Sequence, residues 1–216
     1  MSSAKDTTSQ AQRIGVMVCS TRKPRACPQI ANFVINTIEA TVNGTENDLK
    51  PTLHLIDLNN WNLPMFNESG VPSQIRDPAQ YDHDHTRAWS TEISSYDAFI
   101  FVTPQYNWGY PAVLKNAVDY LFNEWKGKPA LIVTYGGHGG DKCGGQLRQV
   151  LMGLDMVCTS HNVELTFPGR QTTIKAARGH DLQLDGTTED GLWGGAERER
   201  ITELYEELLG LLSAKV

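Results

Sequence analysis

The stretch YDAFIFVTPQYNWGYPAVLKNAVDYLF, residues 96–122, decides the fold. Tyr96–Thr103 is almost continuously apolar, the pattern of a central parallel strand buried on both faces. Val113, Leu114, Ala117, Val118, Leu121 and Phe122 then recur at helical spacing. Between strand and helix lies a turn of prolines, amides and aromatics, Pro104 to Pro111.

Outward from this unit the same alternation repeats. Upstream, Arg13–Cys19 reads as a first strand, residues 28–41 as a helix with Pro28 in its first turn, and Leu53–Leu58 as a second strand. A long connection, 59–85, carries Pro64, Pro72 and Pro78, and a helix over 86–95 leads back to Tyr96. Downstream follow a strand at Pro129–Tyr135, a helix over 144–158, a strand at Asn162–Phe167, a polar loop at Gly169–Asp190 and a closing helix at Arg198–Leu212. Strands and helices in single file imply a parallel sheet wrapped on both faces. Five strands fit an α/β flavodoxin-like order of 2-1-3-4-5. With 216 residues the chain is expected to form a single domain over 13–216, preceded by a disordered tail at 1–12.

Composition narrows the function. A net charge of -6 argues against a polybasic nucleic-acid face, despite the local cluster Arg22, Lys23, Arg25. No apolar run approaches the ~20 residues that span a bilayer. The four cysteines show no CxxC pair or zinc spacing, and the polar N-terminus has no export signal, so reduced thiols in the cytoplasm are expected. Asp82-His83-Asp84-His85 places two histidines at i and i+2, facing apart on a strand and not sharing a helix face, so it reads as a polar loop and no metal is assigned. Trp61 and Trp89 are expected on the surface, in want of cover.

Ligands of such sheets bind beyond the carboxyl ends of the strands, where strand order reverses. That rule selects three loops. The first, Cys19 to Pro28, offers Ser20, Thr21, Arg22 and a helix N-terminus, a setting for an anion. It contains no glycine, which disfavours a dinucleotide pyrophosphate or a nucleoside triphosphate and suits a terminal monophosphate; a solvated basic loop is the equal alternative on this loop alone. In the second, Pro104, Gln105, Tyr106, Asn107 and Trp108 join stiff backbone, amides and aromatic faces, able to border a planar ring. The third, Tyr135-Gly136-Gly137-His138-Gly139-Gly140, permits close main-chain approach to a ligand. The role of His138, acid–base or supporting, stays open. No GxSxG elbow is present for a hydrolase, and the acidic residues of a receiver domain are missing after the first strand.

Three blocks, TPQYNWGYPAVLKNAVDYL, GKPALIVTYGGHGG and QLRQVLMGL, resemble the NADPH-dependent FMN reductase family, and within it the small fungal quinone reductases. The likeness runs from residue 13 to about 167 and leaves Gly169–Trp193 unmatched. It implies non-covalent FMN, with Ser20, Arg22 and the helix start at Cys27 around the phosphate. Pro104, Gln105, Tyr106, Asn107 and Trp108 would border the isoalloxazine ring, and Tyr135, Gly136, Gly137 and His138 would close its other side. It further implies hydride transfer from NADPH or NADH to flavin N5, a quinone-type acceptor on the same face, ping-pong kinetics and a homodimer or homotetramer. No residue is assigned as catalytic acid or base. The competing expectation is an FMN-binding electron carrier or redox-responsive regulator that works through a protein partner.

Overall fold

The computed structural model describes residues 11–42, 50–184 and 191–214. Residues 1–10 of the expected tail and 185–190 of the expected loop lie outside them.

Five lanes of parallel strand form the sheet: β1 (Arg13–Val18), β2 (Thr52–Asp57), β3 (Ala98–Pro104), β4 (Pro129–Gly136), and a last lane shared by β5 (Val157–Cys158) and β6 (Val163–Thr166). Their order is β2-β1-β3-β4-β5, with β6 also paired to β4, so the expected flavodoxin-like order holds with six strands rather than five. The outer lane is split because the chain leaves the sheet after Thr159, whose N–H still donates to the Ala130 carbonyl of β4 (3.0 Å), and Arg148 holds the excursion by donating to the Asn162 side chain (2.6 Å) and to the Thr159 carbonyl.

Helices cover both faces. They are α1 (Cys27–Val42), α2 (Leu58–Trp61), α3 (Asp84–Ser94), α4 (Ala112–Asp119), α5 (Asp141–Gly153), α6 (Gly169–Ala177) and α7 (Gly195–Ser213). The apolar run of β3 serves two cores because successive side chains point to opposite faces. Ala98, Ile100 and Val102 pack with α1 and α7, whereas Phe99 and Phe101 pack with α3, α4 and α5.

The second core is built around tryptophan. Trp125 is fully buried, with ring centroids 5.1 Å from Phe99, 6.2 Å from Phe101 and 6.3 Å from Trp89. Trp89 is therefore a core residue and not a surface one; its indole N–H donates to the Ala117 carbonyl (2.8 Å), and half-buried Trp61 packs edge-on against it. Sequence periodicity could not place them, since α3 is amphipathic and the core it faces is supplied by the distant α4.

The 59–85 connection is pinned rather than loose. The Pro64 carbonyl accepts from Asn116 (2.7 Å) and Tyr120 (3.1 Å), and Asn123 donates to the Ile75 carbonyl (2.6 Å). Buried Glu68 accepts from the backbone N–H groups of Asp82 (2.8 Å) and His83 (3.2 Å). His83 stands at the N-cap position of α3 and His85 lies in its first turn, and their rings stack at 5.0 Å instead of facing apart. Two further expectations change. The helix set at 144–158 ends at Gly153, where Asp155 takes a left-handed conformation (φ 60°) and the chain turns into β5. The loop set at Gly169–Asp190 begins with α6.

Candidate functional site

Parallel registry brings the carboxyl ends of the strands to one edge: Val18 stands beside Asp57 and Val102, Pro104 beside Tyr135, and Gly136 beside Thr166. A cavity of about 230 Å³ opens over this edge. Eight of the twelve candidate residues line it: Ser20, Arg22, Pro104, Gln105, Tyr106, Tyr135, Gly136 and Gly137. The other four stand around it. Cys27 is buried beneath, beside the Tyr135 hydroxyl. Asn107, Trp108 and His138 are exposed on the loops above.

The β1–α1 loop is organised by an ion pair that the sequence reading left out. Arg25 grips Asp57 through two hydrogen bonds, Nη1 to Oδ1 at 2.8 Å and Nη2 to Oδ2 at 2.6 Å, and also donates to the Ser20 carbonyl. Burial pushes the Asp57 carboxyl up, but the Arg25 bonds outweigh it and hold the group below the usual range. The signal was present in the sequence, since LHLIDL places an acid at the carboxyl end of a strand, on the ligand edge. A folded carboxyl pKa below the unfolded value near 3.9 contributes stability above pH ~4, lost as pH falls through the folded value. Asp57→Asn should cost about 1–3 kcal/mol at pH 7 and make unfolding less acid-sensitive below pH 4, as read by urea denaturation across pH.

Across the cavity the Ser20 hydroxyl and the Tyr106 hydroxyl are 2.8 Å apart. Tyr106 is placed by a two-residue turn: its N–H donates to the Gly109 carbonyl (2.8 Å) and its carbonyl accepts from the Gly109 N–H (2.9 Å). Asn107 (φ 49°) and Trp108 (φ 71°) both take the left-handed conformation such turns require. Trp108 is left 68% exposed at the tip, with the Lys142 ammonium 5.9 Å from its ring centre. Gln105 accepts from the Cys143 N–H through Oε1 (3.1 Å), which fixes its amide orientation and leaves its N–H donors for another partner.

The glycines of the β4–α5 loop make the slot. A Cβ at Gly136 would meet no atom within 4 Å, and one at Gly137 would meet only the Thr173 hydroxyl, at 3.6 Å. Both residues line the cavity, so its width there is the space that side chains would fill. Phe167, just past β6, and Thr173, Ala176 and Ala177 of α6 complete the wall. Phe167 obeys the strand-end rule and could have been found by it; the α6 residues carry no motif.

Three thiols lie fully buried near the site. Burial pushes Cys27 and Cys143 up to about 11, and Cys19 well above its usual value. A thiol pKa raised by folding costs stability once the unfolded thiol ionises, so the fold should weaken as pH climbs from ~8.5 towards 11. Native protein treated with a disulfide reagent at pH 8 should release one thiol quickly, from half-buried Cys158, and the other three only on denaturation. Early release of a second thiol would contradict this burial.

The sheet order defines a flavodoxin-like α/β protein, with its cavity over the carboxyl edge of the sheet, where ligands of such folds bind. A family model, NADPH-dependent FMN reductase, matches residues 12–167. The NAD(P)H-dependent FMN reductase LOT6 of Saccharomyces cerevisiae is 47% identical over 146 residues, 67% of this chain and 75% of the relative. A quinone reductase of Pseudomonas putida is 29% identical over 157 residues, 69% of this chain and 75% of the relative. Among solved structures, an oxidoreductase from Corynebacterium diphtheriae superposes with a TM-score of 0.65 at 17% identity, over 95% of this chain and 99% of the other, which speaks for the fold. The chain belongs to the NADPH-dependent FMN reductase family, a family of oxidoreductases whose cofactors are FMN and NAD(P)H. Among the described residues no helix is long and apolar enough to cross a membrane.

Proposed function

We propose that this protein is an FMN-dependent NAD(P)H oxidoreductase that reduces quinone-type acceptors by a ping-pong route. The observation that carries the reading is the cavity itself: three loops that the family match includes converge on one slot, floored by Gly136 and Gly137, with nothing in the protein filling the glycine side. The reading sets a planar ring between that backbone and the turn bearing Tyr106, both of which line the cavity.

In this reading Ser20 and the backbone N–H groups that open α1 hold the cofactor phosphate, with Arg25 supplying positive potential beneath even while paired to Asp57. Pro104, Gln105 and Tyr106 line one side of the ring and Tyr135, Gly136 and Gly137 the other, with Asn107, Trp108 and His138 at the rim. Bound there, FMN would supply the redox chemistry, that of a hydride acceptor and electron donor. The protein positions the ring, leaves one face open to donor and acceptor in turn, and excludes water from the other.

The same reading takes the chain as a cytoplasmic homodimer or homotetramer. Buried free thiols suit a reducing compartment. Met65 (77% exposed), Phe66 and Val71 leave large apolar side chains uncovered on the 59–85 segment, a face suited to a second copy.

Reconstitution with FMN, desalting and anaerobic titration with NADPH test the proposal. Retained flavin should bleach on NADPH and regain its colour when a quinone is added. Retained flavin that NADPH scarcely reduces would overturn the oxidoreductase and favour a carrier or sensor.

A further inference from the structure

Among the described residues five non-glycine positions hold a positive φ, and four of them are polar: Asn62, Asn107, Asp155 and Gln183. The fifth is Trp108 (φ 71°), and for a side chain so bulky the left-handed region is a genuine outlier. The turn around it sharpens the point. Tyr106 and Gly109 form a β-bridge, and both residues between them are left-handed. Asn-Gly is the pair that suits such a turn, whereas this chain has Asn-Trp. A glycine at 108 would relieve the backbone. The indole adds nothing to the core, since it is the most exposed aromatic ring of phenylalanine, tyrosine or tryptophan among the described residues. Its neighbour Lys142 is committed to Asp141 at 2.8 Å. The turn itself is firmly held. Pro104 and Pro111 bracket it, the Tyr106 hydroxyl meets that of Ser20, and a Cβ at Gly109 would sit 3.0 Å from Gln146 Oε1 of α5. Tyr106 lines the cavity, and the indole two residues on stands uncovered at its rim.

We propose that Trp108 is a stacking platform for the electron acceptor, a flat quinone-type ring, and that it sets a preference for planar over non-planar acceptors. The proposal rests on the function proposed above and names the residue that recognises the acceptor. A quinone offers little to bind beyond its planar face and two carbonyl oxygens. A large, rigid aromatic face held on a stiff turn meets it at low entropic cost. The nicotinamide donor carries phosphates and ribose hydroxyls besides its ring, so it depends far less on the indole. The chain thus keeps a locally unfavourable residue at a position where a ligand, and not the fold, makes use of it.

The test compares the full chain with Trp108→Gly, which removes both the ring and the strain, and Trp108→Phe, which keeps both. Thermal unfolding of the ligand-free chains reads the backbone: the glycine variant should melt about 2 °C above wild type, and the phenylalanine variant within about a degree of it. Equilibrium dialysis of a naphthoquinone against the oxidised chains, with FMN at saturation, reads the platform. Its Kd should weaken about tenfold in Trp108→Gly and return to within about threefold of wild type in Trp108→Phe. In turnover, the ratio of kcat/KM for the naphthoquinone to that for ferricyanide, an octahedral anion with no flat face, should fall about tenfold with glycine and recover with phenylalanine. A lower melting temperature for Trp108→Gly would make the indole a structural residue and overturn the proposal. A variant that sediments as a smaller species than wild type would place the indole in a subunit contact and overturn it too. Wild type that retains no flavin would overturn the function proposed above and this proposal with it. Wild type that retains flavin but binds the naphthoquinone no better than Trp108→Gly would overturn the platform alone.

Discussion

Gly136→Leu should leave a folded protein that no longer retains flavin. The expectation follows from two facts about one residue. Its backbone is not among the left-handed positions, so leucine meets no conformational penalty, and its Cβ would meet no protein atom within 4 Å. The new side chain therefore costs the fold little and takes up space in the slot. A branched four-carbon group against the ring position should weaken FMN binding about 100-fold or more, some 2.7 kcal/mol. Thermal unfolding of the ligand-free variant should match wild type within a degree or two, while equilibrium titration with FMN should show the loss. Undiminished affinity would mean that the ring lies elsewhere and would remove the central support of the proposed function.

The second large effect concerns stability. Trp125→Ala should remove about 3–5 kcal/mol, a sizeable share of the ~5–15 kcal/mol that holds a domain of this kind together. Trp125 touches both inward-facing phenylalanines of β3 as well as Trp89, and its indole donates to the Val118 carbonyl at 3.2 Å. Truncation leaves a cavity bordered by three aromatic rings and an acceptor without its donor. The melting temperature should fall by roughly 6–20 °C. A fall of a degree or so would mean that the neighbouring rings collapse into the space.

These residues also show where sequence reasoning reaches and where it stops. The β3 strand was legible because a segment buried on both faces has no polar residues to confuse it, and three ligand loops followed from strand order alone. Gly136 and Gly137 were found by composition, as was the turn that carries Tyr106. Trp89 was misplaced because the burial of an amphipathic helix depends on which neighbour covers it. Asp57 was passed over although LHLIDL sets an acid on the ligand edge, because its partner Arg25 lies 32 residues away and the pairing itself leaves no local pattern. The α6 helix was read as loop: nine residues with one buried side chain give no helical periodicity. Long-range polar contacts, rather than short-range hydrophobic spacing, account for most of what was missed.

The divided outer lane of the sheet bears on how the protein avoids sticking to itself. An uninterrupted outer strand offers a row of unpaired backbone donors and acceptors to any passing chain and can seed fibrous aggregation. Here one rim is cut into pieces of two and four residues by the segment that Arg148 ties down. The opposite rim, β2, runs six residues without a break and exposes Leu55. Strand-to-strand growth is thus blocked on one side of the molecule and confined to the other, where a charged residue at position 55 would serve as a gatekeeper.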